Sequence, residues 1–258
     1  MKVSIILFSL LFTLTAFGQS IVTDRPTQTT GPTSVDKGVF QLETGMQYSR
    51  DDGTTSGVVQ LPINLFRLGL GKGFEIRLIN GLSFRKTFSK IEASFSNLQL
   101  GFKAQLLNKP EKKTQIGLIA HGVMSTGADS WKSGQRGGVF SLAVNHQIND
   151  NNGLSYNLGY EIYSFGSIDN NFMMRNVFFT LNYSHSMTER LGIFTEVYSA
   201  ITDVDDFHED QLSLNFDAGL TWLLRDNLQL DYSFGFGIAD RMNFHALGLS
   251  FYIAPKKK

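Results

Sequence analysis

QLSLNFDAGLTWLLRDNLQLDYSFGFGIA, residues 211–239, reads with a period of two on both sides of a short turn. Leu212, Leu214, Phe216, Ala218, Leu220, Trp222 and Leu224 share one parity, and Ser213, Asn215, Asp217, Gly219 and Thr221 share the other. After Arg225, Asp226 and Asn227 the alternation resumes: Leu228, Leu230, Tyr232, Phe234, Phe236 and Ile238 oppose Gln229, Asp231, Ser233, Gly235 and Gly237. A period of two is that of a strand, because successive side chains point to opposite faces of a sheet. The stretch therefore predicts a β-hairpin with one apolar and one polar face. Its arms exceed the usual strand of about 5–6 residues. They match the ~9–11 tilted residues that cross a hydrocarbon layer.

The same pattern continues through most of the 258 residues, which favours one large all-β domain over two smaller ones. Hydrophobic residues make up 42%, and beyond the N-terminus no window of ~18 consecutive apolar residues exists, which excludes a helical membrane bundle. Insertion into a bilayer would have to use strands. Lys plus Arg equals Asp plus Glu at 23 each, so the chain lacks the basic field on which nucleic-acid binding depends. With no cysteine, disulfide scaffolds, thiolate metal sites and a lipidated N-terminal cysteine are excluded, and an oxidising compartment is suited.

Met1 and Lys2 precede an apolar run from Val3 to Phe17, and Ala16 and Gly18 supply small residues where a signal peptidase reads. We expect residues 1–18 to be a signal peptide and Gln19 to open the mature chain. Residues 19–38 contain Pro26 and Pro32, which cannot serve a central ladder, and read as an extended periplasmic lead-in to a barrel over 39–258. Within it, Ile21-Val22-Thr23-Asp24-Arg25-Pro26, followed by Lys37-Gly38 and Gln41-Leu42-Glu43-Thr44-Gly45, resembles the start of the outer-membrane transporters grouped as the "MetA pathway of phenol degradation" family. The resemblance implies a β-barrel with a transport role and brings no catalytic residues.

Counting alternating segments from Val39 predicts twelve strands, with Pro62 placed at a bulge or unpaired position in the second. An even count puts both termini on one side, the periplasmic side of a bacterial barrel. Connections after odd-numbered strands (51–57, 85–93, 125–137, 167–173, 202–210, 240–243) are mostly longer than those after even-numbered strands. That is the asymmetry of long external loops and short periplasmic turns. A soluble sandwich or a lipocalin-like barrel also alternates. Strand length, aromatic residues toward strand ends and the export signal favour a closed antiparallel transmembrane barrel of the outer membrane. The expected partners are the lipid bilayer, lipopolysaccharide and a small-molecule solute.

On the inward parity, glycine recurs at 45, 81, 101, 117, 159, 219, 235, 237 and 248. It either relieves crowding in a curved wall or leaves room for a solute path. The inward polar candidates are Glu43, Glu75, Arg77, Lys103, His121, Glu161, Glu196, Asp217 and Asp231, and Asp24, Arg25 and Pro26 join them if the lead-in enters the mouth. Carboxylates outnumber Arg77 and Lys103, which predicts either a cation-preferring path or a packed polar network. An outer-membrane lipid hydrolase would need a Ser/His pair, but Ser184 and Ser186 face opposite to His185 on a strand, and His146 lies near a strand end. The acidic loop holding Asp203, Asp205, Asp206, His208, Glu209 and Asp210 lacks the spacing of a calcium-binding loop, so no metal or cofactor is assigned. The reading is a non-enzymatic channel for small, hydrophobic or aromatic solutes, with a structural or adhesive barrel as its rival.

Overall fold

In the computed structural model, residues 20–51, 57–87, 90–109, 112–126, 136–167, 170–205, 211–239 and 241–255 are described. The expected signal peptide lies outside them, as do Asp206, His208, Glu209 and Asp210 of the acidic loop. The strands are β1 (Phe40–Asp51), β2 (Val58–Gly71), β3 (Phe74–Thr87), β4 (Lys90–Phe95), β5 (Leu98–Leu107), β6 (Thr114–Met124), β7 (Arg136–Asn149), β8 (Asn152–Ser167), β9 (Asn170–Ser186), β10 (Leu191–Val204), β11 (Gln211–Arg225), β12 (Leu228–Gly237) and β13 (Met242–Ile253). All pairings are antiparallel; apart from β3 with β5 they join sequence neighbours, and β1 also pairs β13, so the sheet closes on itself.

β4 and β5 together form one stave. The lower part of β3, Phe74–Ile79, pairs β5, whereas Leu82–Thr87 pairs β4. Across the break, Ser96 N donates to Gly81 O at 2.9 Å. The barrel thus has twelve staves, but the loop expected over 85–93 is largely strand. Lys90 to Phe95 alternates as strictly as the rest, with Glu92 and Ser94 inward, yet the segment is too short to stand out by periodicity alone. Pro62 falls where the register slips, between Gly45 and Gln47 on one side and between Gln60 and Ile63 on the other. A residue with no N–H is tolerated there because the ladder skips it.

Burial is inverted relative to a soluble protein. Leu100, Leu158, Trp222 and Leu247 are each at least half exposed on the outer face. The largest fully buried side chains are Arg67, Lys103, Gln41, Glu43, Glu75, Glu196, Asn157 and Asp217, all polar and all inward. Burying such groups while exposing an apolar band is unfavourable in water and stable in hydrocarbon, where closure also removes the open sheet edges. This decides against a soluble sandwich.

The lead-in does not hang beneath the barrel. Residues 20–38 run inside it, entering beside the β11–β12 turn, where Ile21 N donates to Asp226 O, and leaving beside the β2–β3 turn, where Gly38 N donates to Gly69 O. We call this segment the plug.

Candidate functional site

The plug lacks secondary structure because its prolines and Thr/Gly-rich sequence cannot sustain a ladder, so its backbone donors must be met by side chains. The wall supplies them. Glu43 Oε2 accepts from Asp24 N and Arg25 N, both at 2.9 Å, and Glu75 Oε2 accepts from Val35 N at 2.7 Å. Glu196 accepts from Gln28 N at 2.7 Å, from Thr29 N at 2.6 Å and from the Thr29 hydroxyl. Asn157 Oδ1 accepts from Thr30 N at 2.7 Å, and its Nδ2 donates to Thr30 O at 2.9 Å. The inward carboxylates therefore do the capping work of a missing strand.

Side chains of the plug return the contact. Asp24 accepts from Lys103 Nζ at 2.9 Å and from Arg77 Nη1 at 2.6 Å, and Arg67 Nη1 lies 3.8 Å from it. Arg67 also forks onto Glu75, with both bonds at 2.9 Å, and donates to Glu43 at 2.9 Å. Asp24, Glu43 and Glu75 thus meet Arg67, Arg77 and Lys103, a cluster whose formal charges cancel. Arg77 Nε reaches His121 Nε2 at 3.1 Å. Burial alone would raise the Asp24 carboxyl, but the charges of Arg67, Lys103 and Arg77 hold it well below the usual carboxylate range. Arg25 forms a separate pair with Asp231 at 3.1 Å. The Arg25–Pro26 peptide, in the motif that carried the family resemblance, is cis.

Inward glycines make this docking possible. At Gly45 a Cβ would lie 2.5 Å from Leu247 O and 2.7 Å from the Arg25 guanidinium, and at Gly117 it would lie 2.6 Å from Pro32 O. Elsewhere the vacated space takes a ring: Phe178 lies over Gly159, Phe194 over Gly219 and Phe244 over Gly235.

Of the sequence candidates, Asp24, Glu43, Glu75, Arg77, Lys103 and His121 form one cluster, Arg25 and Asp231 a second, and Glu196 and Asp217 a directly opposed cross-strand pair. Glu161 stands apart and accepts from Asn176 Nδ2 at 3.0 Å. Sequence reading missed Arg67, which is fully buried. Phe66, Leu68 and Leu70 alternating with Arg67 and Gly69 would have marked it, but the Pro62 bulge hid that phase. The expectation that only Arg77 and Lys103 oppose six acids is corrected: Arg67 and Arg25 join the bases and Asp24 joins the acids, so each acid of the dock meets a cation while, among the described residues, Glu161, Glu196 and Asp217 do not. A second omission is apolar. Ile79, Val123, Val139, Tyr163, Phe165, Met174, Phe178 and Tyr198 share the inward parity toward the end with the longer loops. There Phe165 and Phe172 stack at 5.2 Å with their planes 2° apart. The interior therefore has a charged half around the plug and an apolar, aromatic half beyond it. Near the plug, a cavity of about 260 Å³ opens among residues that include Thr23, Arg25, Thr29, Phe194 and Gln229.

The Ser/His pair of a hydrolase does not form at Ser184. Its hydroxyl is inward, donating to Gly153 O at 3.5 Å, while the outward His185 Nδ1 lies 2.8 Å from Asn152 Oδ1. His146 is also outward and meets Thr114 Oγ1 at 2.9 Å.

A closed barrel with an apolar outer band and a polar interior defines a transmembrane β-barrel of the outer membrane. The chain belongs to the family described as "Putative MetA-pathway of phenol degradation", whose model matches residues 23–253. An outer-membrane channel from Pseudomonas putida F1 has the same fold, with a TM-score of 0.68 at 13% identity, covering 90% of this chain and 100% of that one. The NanC porin matches with a TM-score of 0.58 at 8% identity, covering 81% and 98%. The KdgM porin matches with a TM-score of 0.52 at 10% identity, again covering 81% and 98%. No curated protein sequence matches.

Proposed function

We infer that this barrel is a channel for small apolar or aromatic solutes, in which the plug sets how much of the lumen is open. The observation that supports this most is the division of the interior. A solute entering from the longer loops meets Tyr163, Phe165, Phe172 and Phe178 before it reaches a polar, ion-paired barrier. Aromatic walls bind planar apolar solutes by stacking and burial without tight polar recognition. The plug crosses the lumen at the end bearing the short turns, which we take as periplasmic. The plug is held by hydrogen bonds and ion pairs to the wall, so it can rearrange without unfolding the ladder.

Glu43, Glu75, Arg77, Lys103, His121 and Asp231 act in this reading as the dock of the plug, and Glu161 lies on the solute path beside Tyr163. The Pseudomonas channel and the porins share the fold, and the family description refers to phenol degradation. Both accord with a transport role and neither names the solute. The test is solute entry into liposomes carrying the purified barrel. Phenol-sized aromatic solutes should enter faster than sugars of similar size, and Phe178→Ser should narrow that difference. Absence of flux for every small solute would favour a structural or adhesive barrel instead.

A further inference from the structure

The plug is anchored unevenly. Its flanks, residues 22–25 and 33–35, carry the ionic contacts: Asp24 meets Arg77 and Lys103, Arg25 meets Asp231, and the carbonyls of Val22 and Thr33 accept from Arg67 at 2.9 and 3.0 Å. Ser34 N and Val35 N donate to Gln105 and Glu75. Apart from Asp231 on β12, these partners lie on β2, β3 and β5. Between the flanks, Pro26-Thr27-Gln28-Thr29-Thr30-Gly31-Pro32 contains no charged residue and has proline at both ends. Its hydrogen bonds to the wall go to β8–β11, across the barrel from β2. Glu196 takes Gln28 N and Thr29 N, Asn157 exchanges two bonds with Thr30, the Gln28 side chain reaches Asp217, and the Thr29 hydroxyl lies 2.7 Å from that of Thr180. Hydrogen bonds made by an uncharged loop exchange for water at a smaller cost than buried ion pairs, which strand a charge when broken. This loop can therefore leave the wall while the flanks stay docked.

Open space lies on both sides of that contact, along the same staves. On β9, Phe178 belongs to the aromatic half, Thr180 touches the loop, and Asn182 and Ser184 line the cavity of about 260 Å³, together with Phe194 of β10 and Thr29 of the loop itself. A cavity of about 150 Å³ is enough for benzene. The space below the loop therefore takes a single ring. On the opposite side Arg67, Lys103, Glu43 and Glu75 are fully buried and fill the gap with paired charge. We propose that solute crosses the plug between loop 26–32 and β8–β10, with the loop as the gate and the cavity below it as the last subsite before the periplasm, for uncharged solutes of about one ring. This rests on the channel reading above and names its moving part and its passage.

The chain has no cysteine, so thiols placed at 29 and 180 have no competitor. The test reconstitutes Thr29→Cys/Thr180→Cys in liposomes and follows entry of phloroglucinol, an uncharged ring polar enough to cross lipid slowly, after oxidation and again after reductant, with peptide mapping of the bridge. We expect entry to fall to that of protein-free liposomes on oxidation and to return on reduction, with either single variant indifferent to oxidant. Thr180→Val removes the hydroxyl contact to the loop and should speed entry about fivefold, the equilibrium worth of one ordinary hydrogen bond. A bridge that does not form would show that the loop does not rest on β9, and full entry through the bridged protein would show that solute passes elsewhere. Either result, or a Thr180→Val variant no faster than the unaltered barrel, overturns the route while leaving the channel reading in place. Entry no faster than in protein-free liposomes for the unaltered and reduced proteins alike would remove the channel reading and the route with it.

Discussion

At the scale of single residues, Asp24 does the most with the least. One carboxylate meets three buried cations, so replacing it leaves Arg67, Arg77 and Lys103 with fewer acids than bases. Breaking a buried ion pair by removing one partner costs about 3–5 kcal/mol. We expect Asp24→Ala to undock the plug, read as faster cleavage within residues 20–38 and higher conductance, while the barrel still shows heat-modifiable migration. The sign of the pH dependence follows from its depressed folded value. Asp24 contributes its stabilisation above its ordinary range, near pH 4, and loses it only as pH falls through the lowered folded value. The difference in plug cleavage between the unaltered barrel and Asp24→Ala should therefore be nearly as large at pH 5 as at pH 7, and a difference that vanishes by pH 5 would show that Asp24 is not ion-paired. Gly117→Val tests the dock sterically. A Cβ there meets Pro32 backbone at 2.6–3.2 Å, which cannot rotate away, so the plug must shift and become cleavable.

At the scale of the strand, parity decides what a charge costs. Leu100 on β5 is 50% exposed on the outer face, and its neighbour Gln99 points inward opposite Val123 and Ile79. Leu100→Arg should destabilise by about 2–4 kcal/mol if it lies near the bilayer midplane. Gln99→Arg should cost clearly less, since a long cation there reaches the lumen. Denaturant titration of the two variants in lipid vesicles measures the difference, and equal costs would contradict the assigned phase of β5. The same logic explains what periodicity hides. Where both faces are apolar, as in β6 with inward Ile119 and Val123 and outward Leu118 and Ala120, alternation weakens: Gly117 and His121 still mark the inner face, but the apolar lining residues between and beyond them do not stand out. Arg67 was hidden for a related reason, because the bulge at Pro62 resets the phase partway along β2.

At the scale of the whole molecule, the plug is one continuous segment bonded around the inner wall, to β1, β2, β3, β5, β8, β9, β10 and β12. Deleting residues 20–38 as a unit should raise conductance more than Asp24→Ala does, because it removes the obstruction and not only one anchor. It also strands Glu43, Glu75 and Glu196 in a wet lumen with no plug N–H to accept. That lumen should prefer cations more strongly than the unaltered barrel, as wall carboxylates favour cations, and a reversal potential in a salt gradient measures it. An unchanged single-channel conductance after the deletion would show that the plug does not limit the path.

What residues 211–239 and their repeats determined was local. A strict period of two sets which side chains share a face, and strand length together with closure sets what lies outside that face. The alternation at Leu212–Leu224, the Pro62 irregularity and the inward phase of Glu43, Lys103 and Asp217 needed no long-range information. Tertiary structure decided what those inward groups meet. Residues 20–38 carry no periodicity, because their donors bond to side chains 40, 127 and 167 positions away. No local pattern encodes a contact over that separation. Closing the barrel brought Asp24 to Lys103, set Asp217 opposite a second acid, Glu196, and turned part of the predicted carboxylate excess into a balanced dock with one acidic pair beside it.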